Sequence, residues 1–166
     1  MLAEDLLAEA GDVLELYRRA GLMAATAESC TGGLIAAALT AIAGSSDVVD
    51  RGFVTYSNQA KTEMLGVPAG LIAAVGAVSE AVAARMAEGA VRRSRADVAV
   101  SVTGIAGPGG GSPDKPVGLV WFGLHRRDRA TVTERAVFPG DRTAIRMAAV
   151  ARGLVLLRRG LVLPAG

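Results

Sequence analysis

Ser29 stands at a point where an apolar, strand-like run gives way to two glycines, Gly32 and Gly33, and then to a helix-forming stretch from Leu34 to Ala43. The first backbone N–H groups of a helix have no partner within the helix, so they can hold an anion or a developing oxyanion. A serine hydroxyl beside such groups is a candidate nucleophile. A simple helix-capping serine is the alternative interpretation.

Two lysines, Lys61 and Lys115, occur among the 18 basic residues. Arginine can replace lysine at solvated positions but cannot give up its proton, so a lysine that remains in an arginine-rich chain indicates lysine chemistry. We expect Lys61 in the first turn of a helix that follows a strand, where the helix dipole disfavours an ammonium group. This position, together with burial, would lower the pKa of Lys61 and allow a neutral amine to act as a general base.

Three further side chains could take part in catalysis, and each also has a purely structural interpretation. Tyr56 ends the strand before Lys61 and could relay a proton or donate to a substrate oxygen, or it could be an ordinary strand aromatic. Cys30 could be a nucleophile, but a small buried hydrophobic residue is the favoured interpretation. His125, the single histidine, falls at a basic hairpin turn far from Ser29, which argues against a Ser-His-Asp triad.

Hydrophobic periodicity predicts alternating helices and strands. The predicted helices cover residues 2–20, 33–43, a segment containing Lys61, 69–75, 80–95 and 141–159, and the predicted strands cover 22–27, 52–56, 97–103, 117–125 and 131–138. Glycine at 21 should end the first helix, and serines at 57 and 79 should cap two later ones. The pattern predicts one α/β domain over residues 1–166, with helices on both faces of a mixed, mostly parallel five-stranded sheet whose last two strands form an antiparallel hairpin.

Ligands bind at the carboxyl ends of parallel strands in such sheets, which directs attention to the loops 29–33, 56–61 and 103–115. The third loop contains Thr103, Gly104 and a glycine run, but it matches neither a Walker loop nor a dinucleotide fingerprint, so we expect its backbone to approach a small ligand closely. Arg142 and Arg146 lie one turn apart at the start of the last helix. They could clamp a phosphate or a carboxylate, or form a solvated helix face.

Composition limits the classes of partner. A net charge of +2 with scattered arginines gives no support for nucleic-acid binding, and neither metal-ligand spacing nor an apolar run of membrane-spanning length occurs. A single cysteine excludes an internal disulfide and fits a reducing compartment, and the first residues do not resemble a signal peptide. We therefore expect a cytoplasmic protein with no membrane partner and no metal. The alanine-rich helices and the apolar segment 161–163 would allow a homo-oligomer, with a dimer favoured.

Five motifs, in order along nearly the whole chain, closely resemble the CinA C-terminal domain family, known as nicotinamide-nucleotide amidases. They are Ala27-Glu28-Ser29-Cys30-Thr31-Gly32-Gly33, Gly52-Phe53-Val54-Thr55-Tyr56-Ser57-Asn58, Gly76-Ala77-Val78-Ser79-Glu80, Thr103-Gly104-Ile105-Ala106-Gly107-Pro108 and Lys115-Pro116-Val117-Gly118. The resemblance implies a three-layer α/β/α fold and hydrolysis of the carboxamide of nicotinamide mononucleotide to nicotinate mononucleotide and ammonia. Longer family members carry a further N-terminal domain, so a stand-alone amidase without a cofactor is expected.

The resemblance places the family's serine and lysine on Ser29 and Lys61, with Tyr56 as the associated tyrosine. The expected mechanism is attack by Ser29 after Lys61 removes its proton, with oxyanion stabilisation by N–H groups of the segment 31–33. The expected substrate-binding residues are Cys30, Thr31, Gly32, Gly33, Thr103, Gly104, Arg142 and Arg146, with one of the two arginines at the phosphate. A non-catalytic nucleotide-binding or regulatory module, and an amidase for another small amide, remain as alternatives.

Overall fold

The computed structural model describes residues 2–163, so the termini of the domain predicted over 1–166 lie outside the described residues. The helices are α1 (Glu4–Ala20), α2 (Leu34–Thr40), α3 (Asn58–Leu65), α4 (Ala69–Val75), α5 (Glu80–Arg92) and α6 (Arg142–Gly160). The strands are β1 (Ala24–Glu28), β2 (Val49–Val54), β3 (Val98–Gly104), β4 (Leu119–Arg126) and β5 (Val132–Val137), with one turn of 3-10 helix (Ser45–Asp47) before β2. The order of elements is the predicted one, and their ends differ from the predicted ends by a few residues.

The five strands form one mixed sheet in the order β2-β1-β3-β4-β5. β1 pairs in parallel with both β2 and β3, whereas β4 is antiparallel to β3 and β5 is antiparallel to β4. Four strands, all except β4, therefore run in the same direction. This arrangement confirms the predicted fold class and the predicted hairpin.

Helices cover both faces of the sheet and create two apolar clusters. One cluster joins α1, α2 and α6 to one face, and the other joins α3, α4 and α5 to the opposite face. Close approach between layers depends on glycine at some positions: a Cβ at Gly153 of α6 would lie 2.6 Å from the Ile35 side chain of α2. Every residue of β1 is buried, as expected for a strand between two parallel neighbours and two helical layers.

Local capping fixes where the helices begin and end. Gly21 adopts a left-handed conformation (φ 66°) at the end of α1. The Ser57 and Ser79 side chains accept hydrogen bonds from the first turns of α3 and α5, and Asp141 does the same for α6. These caps confirm the predicted helix starts at Ser57 and Ser79.

The register of the sheet brings three strand ends together. Glu28, the last residue of β1, lies opposite Val54 of β2 on one side and Val102 of β3 on the other. Ser29, the residue after β1, donates its backbone N–H to the Val102 carbonyl at 3.0 Å. The loops that follow these strands consequently surround Ser29. Within residues 2–163, no helix is both long enough and apolar enough to cross a bilayer.

Candidate functional site

Ser29 and Lys61 form a hydrogen-bonded pair below the surface. Lys61 Nζ lies 3.0 Å from Ser29 Oγ and donates to the backbone carbonyl of Thr55 at 2.7 Å. The exposed fraction of Lys61 is 1%, and that of Ser29 is 9%. The pairing follows from the elements: Ser29 leaves the central strand β1, and Lys61 occupies the first turn of α3, directly after β2.

Burial lowers the pKa of Lys61, because the charged ammonium loses its hydration, while the nearby Cys30 thiol opposes this shift. Within residues 2–163 no carboxylate pairs with Nζ, whose polar contacts are Ser29 Oγ and the Thr55 carbonyl. The predicted direction of the pKa shift is confirmed, and its cause is burial. A neutral amine in this position can donate an N–H to Thr55 and direct its lone pair at the serine hydroxyl.

The carboxylate of Glu28 occupies the N-terminus of α2. It is fully buried, and it accepts hydrogen bonds from the Thr31 hydroxyl at 2.7 Å and from the backbone N–H groups of Gly33, Ile35 and Ala36 at 3.1, 3.0 and 2.9 Å. A carboxylate at a helix N-terminus satisfies orphan donors and interacts favourably with the helix dipole. Glu28 thus anchors the turn that carries Ser29.

This arrangement corrects one part of the predicted site. The N–H groups of Gly32 and Gly33 were expected to face a substrate, but the first donates to the Ser29 carbonyl at 3.0 Å and the second to Glu28. Both glycines have left-handed backbones (φ 62° and 94°), so they serve the tight turn into α2. The Thr31 side chain is likewise engaged by Glu28. An acidic residue just before a predicted helix start was the sequence signal for this cap.

A cavity of about 240 Å³ opens above the Ser29–Lys61 pair. Seven of the eleven predicted site residues line it, and they are Ser29, Cys30, Tyr56, Lys61, Thr103, Gly104 and Arg142. Four further lining residues, Asn58, Ala77, Val78 and Ala106, were not predicted as site residues. All four lie in the motifs that carry the family resemblance, but three of them are apolar, and an asparagine at a helix start is a common residue there, so none carried a chemical signal of its own.

Arg142 and Tyr56 form the outer edge of the cavity. Arg142 donates from Nη2 to the Tyr56 hydroxyl at 2.9 Å and from Nη1 to the Gly107 carbonyl at 2.8 Å. Tyr56 is 61% exposed, so this bridge lies at the solvent boundary. A guanidinium here can exchange one of these contacts for an anionic group of a ligand.

Arg146 does not share that position, which corrects the prediction that both arginines face a ligand. Its Nε donates to the Cys30 carbonyl at 3.0 Å and its Nη2 to the Thr31 carbonyl at 3.1 Å. Arg146 is absent from the cavity lining. It holds the loop after Ser29 against α6 through backbone contacts.

Two other candidates behave as the sequence indicated. Burial raises the pKa of the Cys30 thiol to about 11, which keeps it protonated and supports its interpretation as a small buried hydrophobic residue. His125 pairs with Ala99 near the start of β3, at the opposite end of that strand from Thr103. In the described residues no cluster of three or more potential metal ligands occurs. A larger cleft of about 420 Å³ between α3 and α4 shares Asn58 with the cavity but holds no nucleophile-base pair.

Comparison with known proteins places this geometry in a family. The model of the CinA C-terminal domain matches residues 7–161. A protein of Escherichia coli K12 named nicotinamide-nucleotide amidohydrolase PncC is 48% identical over 157 residues, which are 95% of each chain. A protein of Enterobacter agglomerans with the same name is 59% identical over 123 residues, which are 74% of this chain and 75% of that protein. A CinA-like protein of Akkermansia muciniphila is 56% identical over 80% of this chain, which spans 32% of that relative.

The chain thus spans about a third of the length of the CinA-like relatives and nearly all of the E. coli protein. Among solved structures, the competence/damage inducible protein CihA of Agrobacterium tumefaciens has a TM-score of 0.94 and 50% identity, with 97% of this chain and 98% of that chain covered. A CinA superfamily protein of E. coli has a TM-score of 0.89 and 37% identity, with 96% of this chain and 93% of that chain covered. The fold is therefore shared along the whole described length.

Proposed function

The chain belongs to the CinA C-terminal domain family, and on that premise we propose that it is a nicotinamide-nucleotide amidohydrolase, which converts nicotinamide mononucleotide to nicotinate mononucleotide and ammonia. The observation that carries the proposal is the hydrogen bond of 3.0 Å between Ser29 Oγ and the buried Lys61 Nζ at the floor of the cavity. Relatives named for this activity match the chain at 48% and 59% identity, which supports the same reaction here.

In the proposed mechanism, neutral Lys61 takes the proton of Ser29 as the serine oxygen attacks the carboxamide carbon of the substrate. The Thr55 carbonyl holds one N–H of the amine, which leaves the lone pair directed at Ser29. The tetrahedral intermediate then loses its nitrogen as ammonia, with the proton supplied by Lys61 or Tyr56. Water hydrolyses the resulting ester, releases the carboxylate and returns the proton to Ser29.

Oxyanion stabilisation is assigned to backbone N–H groups immediately after the nucleophile. Within residues 2–163 the amide of Thr31 has no hydrogen-bond acceptor and that of Cys30 faces only its own thiol, whereas those of Gly32 and Gly33 are already engaged. Cys30 lines the cavity, so its amide is the nearest candidate. A donor in place before the reaction needs no reorganisation when the charge develops.

Recognition of the nucleotide is assigned to the upper part of the cavity. Thr103 and Gly104 lie on the wall contributed by β3, and a Cβ at Gly104 would approach the Leu119 carbonyl to 2.9 Å, so this wall requires glycine. Arg142 is the arginine that reaches the cavity, and we assign it to the phosphate of the substrate.

Ammonia release from nicotinamide mononucleotide by the purified chain tests the proposal. Ser29→Ala and Lys61→Ala should each reduce kcat by a factor of about 10³ or more, because each removes one member of a catalytic pair. Ser46→Ala, at an exposed serine, is the matched control and should keep full activity. Because the base must be neutral, kcat/KM should rise with pH through the lowered pKa of Lys61.

Two results would contradict the proposal. Turnover retained by a folded Ser29→Ala chain would remove the serine from the mechanism. A wild-type chain that binds the nucleotide but releases no ammonia would identify a binding module. Parallel assays with free nicotinamide separate an enzyme that requires the nucleotide from an amidase for smaller amides.

A further inference from the structure

Three consecutive backbone carbonyls at the junction of α4 and α5 each accept a hydrogen bond from a side chain of a different segment. Lys115 Nζ donates to the Val75 carbonyl at 2.6 Å, Ser79 Oγ to the Gly76 carbonyl at 2.8 Å, and Thr103 Oγ1 to the Ala77 carbonyl at 2.9 Å. These contacts fix a segment that has no regular secondary structure. Ala77, the last of these three residues, and Val78, which follows it, line the cavity.

Lys115 differs from the other two donors in its origin. Ser79 caps α5 and Thr103 belongs to β3, so regular elements already hold both. Lys115 follows the segment 108–114, whose seven residues are all exposed. The Lys115 contact is therefore the one that connects this irregular glycine-rich loop to the cavity wall.

The surroundings of Lys115 suit a compact cation. Its ammonium lies at the C-terminus of α4, where the helix dipole favours positive charge and the last carbonyls need donors. Gly76 has a positive φ of 80°, a conformation that favours glycine, and a Cβ there would lie 2.8 Å from Nζ. The Ser112 hydroxyl accepts from the Lys115 N–H at 3.1 Å, and the Lys115 carbonyl accepts from the Ser112 N–H at 2.8 Å, which closes the turn that presents the lysine.

We propose that Lys115 is a positioning residue for substrate binding, which ties the end of the glycine-rich loop to the segment that carries the Ala77–Val78 wall of the cavity; this inference rests on the function proposed above. Lys115 touches neither Ser29 nor Lys61, whose polar contacts come from other residues. Its loss therefore changes how well the nucleotide is held and leaves the nucleophile-base pair in place.

Steady-state kinetics on nicotinamide mononucleotide test this role through the separation of KM from kcat. Lys115→Met should raise KM about tenfold with kcat within about twofold of wild type, because the wall is used in binding and not in bond breaking. Lys115→Arg, which keeps a cationic donor, should recover part of the loss. Arg93→Met is the matched control: Arg93 donates to the Glu63 carbonyl at 2.9 Å near the end of α3, away from the cavity, so its removal should leave KM unchanged.

The inference is overturned if Lys115→Met lowers thermal stability as Arg93→Met does but leaves KM at the wild-type value. It is also overturned if kcat falls as strongly as KM rises, because Lys115 would then act on the reacting groups. A wild-type chain that releases no ammonia would instead contradict the proposed function. In that case calorimetric binding of nicotinamide mononucleotide provides the readout, with a weaker affinity expected for Lys115→Met alone.

Discussion

The floor and the rim of the cavity above Ser29 and Lys61 are built in different ways. The floor consists of Ser29, Lys61 and Thr103, with exposed fractions of 9%, 1% and 1%, and each of these side chains has a hydrogen-bond partner inside the protein. The rim consists of Tyr56 and Arg142, and Tyr56 is 61% exposed.

This difference separates two tasks. In the proposed mechanism, the buried hydrogen bonds of the floor hold Ser29 and Lys61 in place before a substrate arrives, and such an arrangement stabilises a transition state without reorganisation at the moment of reaction. At the rim, the Arg142 contacts lie next to solvent, where a ligand phosphate can replace them at little cost. Changes to the floor should therefore affect folding and chemistry, whereas changes to the rim should affect substrate selection.

The largest effect is expected below the floor, at Glu28. Glu28→Gln should lower the free energy of unfolding by about 3 kcal/mol, because an amide NH2 would face backbone donors that now share a buried carboxylate. Urea denaturation measures the change. Glu63→Gln, at an exposed carboxylate of α3, should shift stability by less than about 0.5 kcal/mol. Equal effects of the two substitutions would show that the floor is not held by this cap.

At the rim, Arg142→Met should raise KM for nicotinamide mononucleotide about tenfold with little change in kcat, through the loss of a charged contact to the phosphate. Nicotinamide riboside, which has no phosphate, is the matched substrate, and its kinetics should not respond to the substitution. The comparison of kcat/KM for the two substrates measures the effect. A similar loss with the riboside would assign Arg142 to the shape of the rim instead of to phosphate recognition.

The smallest effect concerns stability at Lys61. Burial lowers the pKa of Lys61 in the folded chain, so the unfolded chain binds more protons and wild-type stability rises with pH in that window. The loss of stability caused by burying the charged ammonium is fully present below the lowered pKa. It disappears as the pH approaches the pKa of lysine in the unfolded chain, about 10.4. Lys61→Met should therefore have a free energy of unfolding about 1 kcal/mol higher than wild type at neutral pH, despite its loss of activity.

Thermal unfolding at neutral pH and near pH 10 checks this expectation, since the advantage of Lys61→Met should shrink at the higher pH. Lys115→Met provides the comparison, because it removes a half-buried lysine at a different site. A Lys61→Met chain less stable than wild type at both pH values would mean that the contacts of Lys61 outweigh the burial of its charge.

The sequence predicted local features well and contacts between distant residues poorly. Gly21, Ser57 and Ser79 act within one turn of their own helices, so their residue types alone indicated where those helices end or begin. The mostly parallel sheet followed from the alternation of helices and strands, and the antiparallel hairpin followed from the short turn, whereas the order of the strands comes from the structure. The family resemblance brought Ser29 and Lys61 together, and the structure provides the distance between them.

The errors concern side chains whose partners depend on rotamers and packing. Glu28 could extend toward the cavity or turn back to the helix, and α2, which begins six residues later, decides between the two. Arg142 and Arg146 lie on the same helix face one turn apart, so spacing gave them the same role. Their partners in distant loops separate them, because Arg142 reaches the Gly107 carbonyl and Arg146 the Cys30 carbonyl, and no local pattern encodes these contacts.

The contact between Arg146 and the Cys30 carbonyl spans 116 positions along the chain. During synthesis, a ribosome delivers Ser29 and Lys61 long before α6 leaves the exit tunnel. The loop carrying the nucleophile therefore gains its last support only when translation of the domain is nearly finished. A nascent chain would remain inactive until then, and a premature stop codon before α6 would yield a fragment that contains both reactive side chains without the scaffold that aligns them.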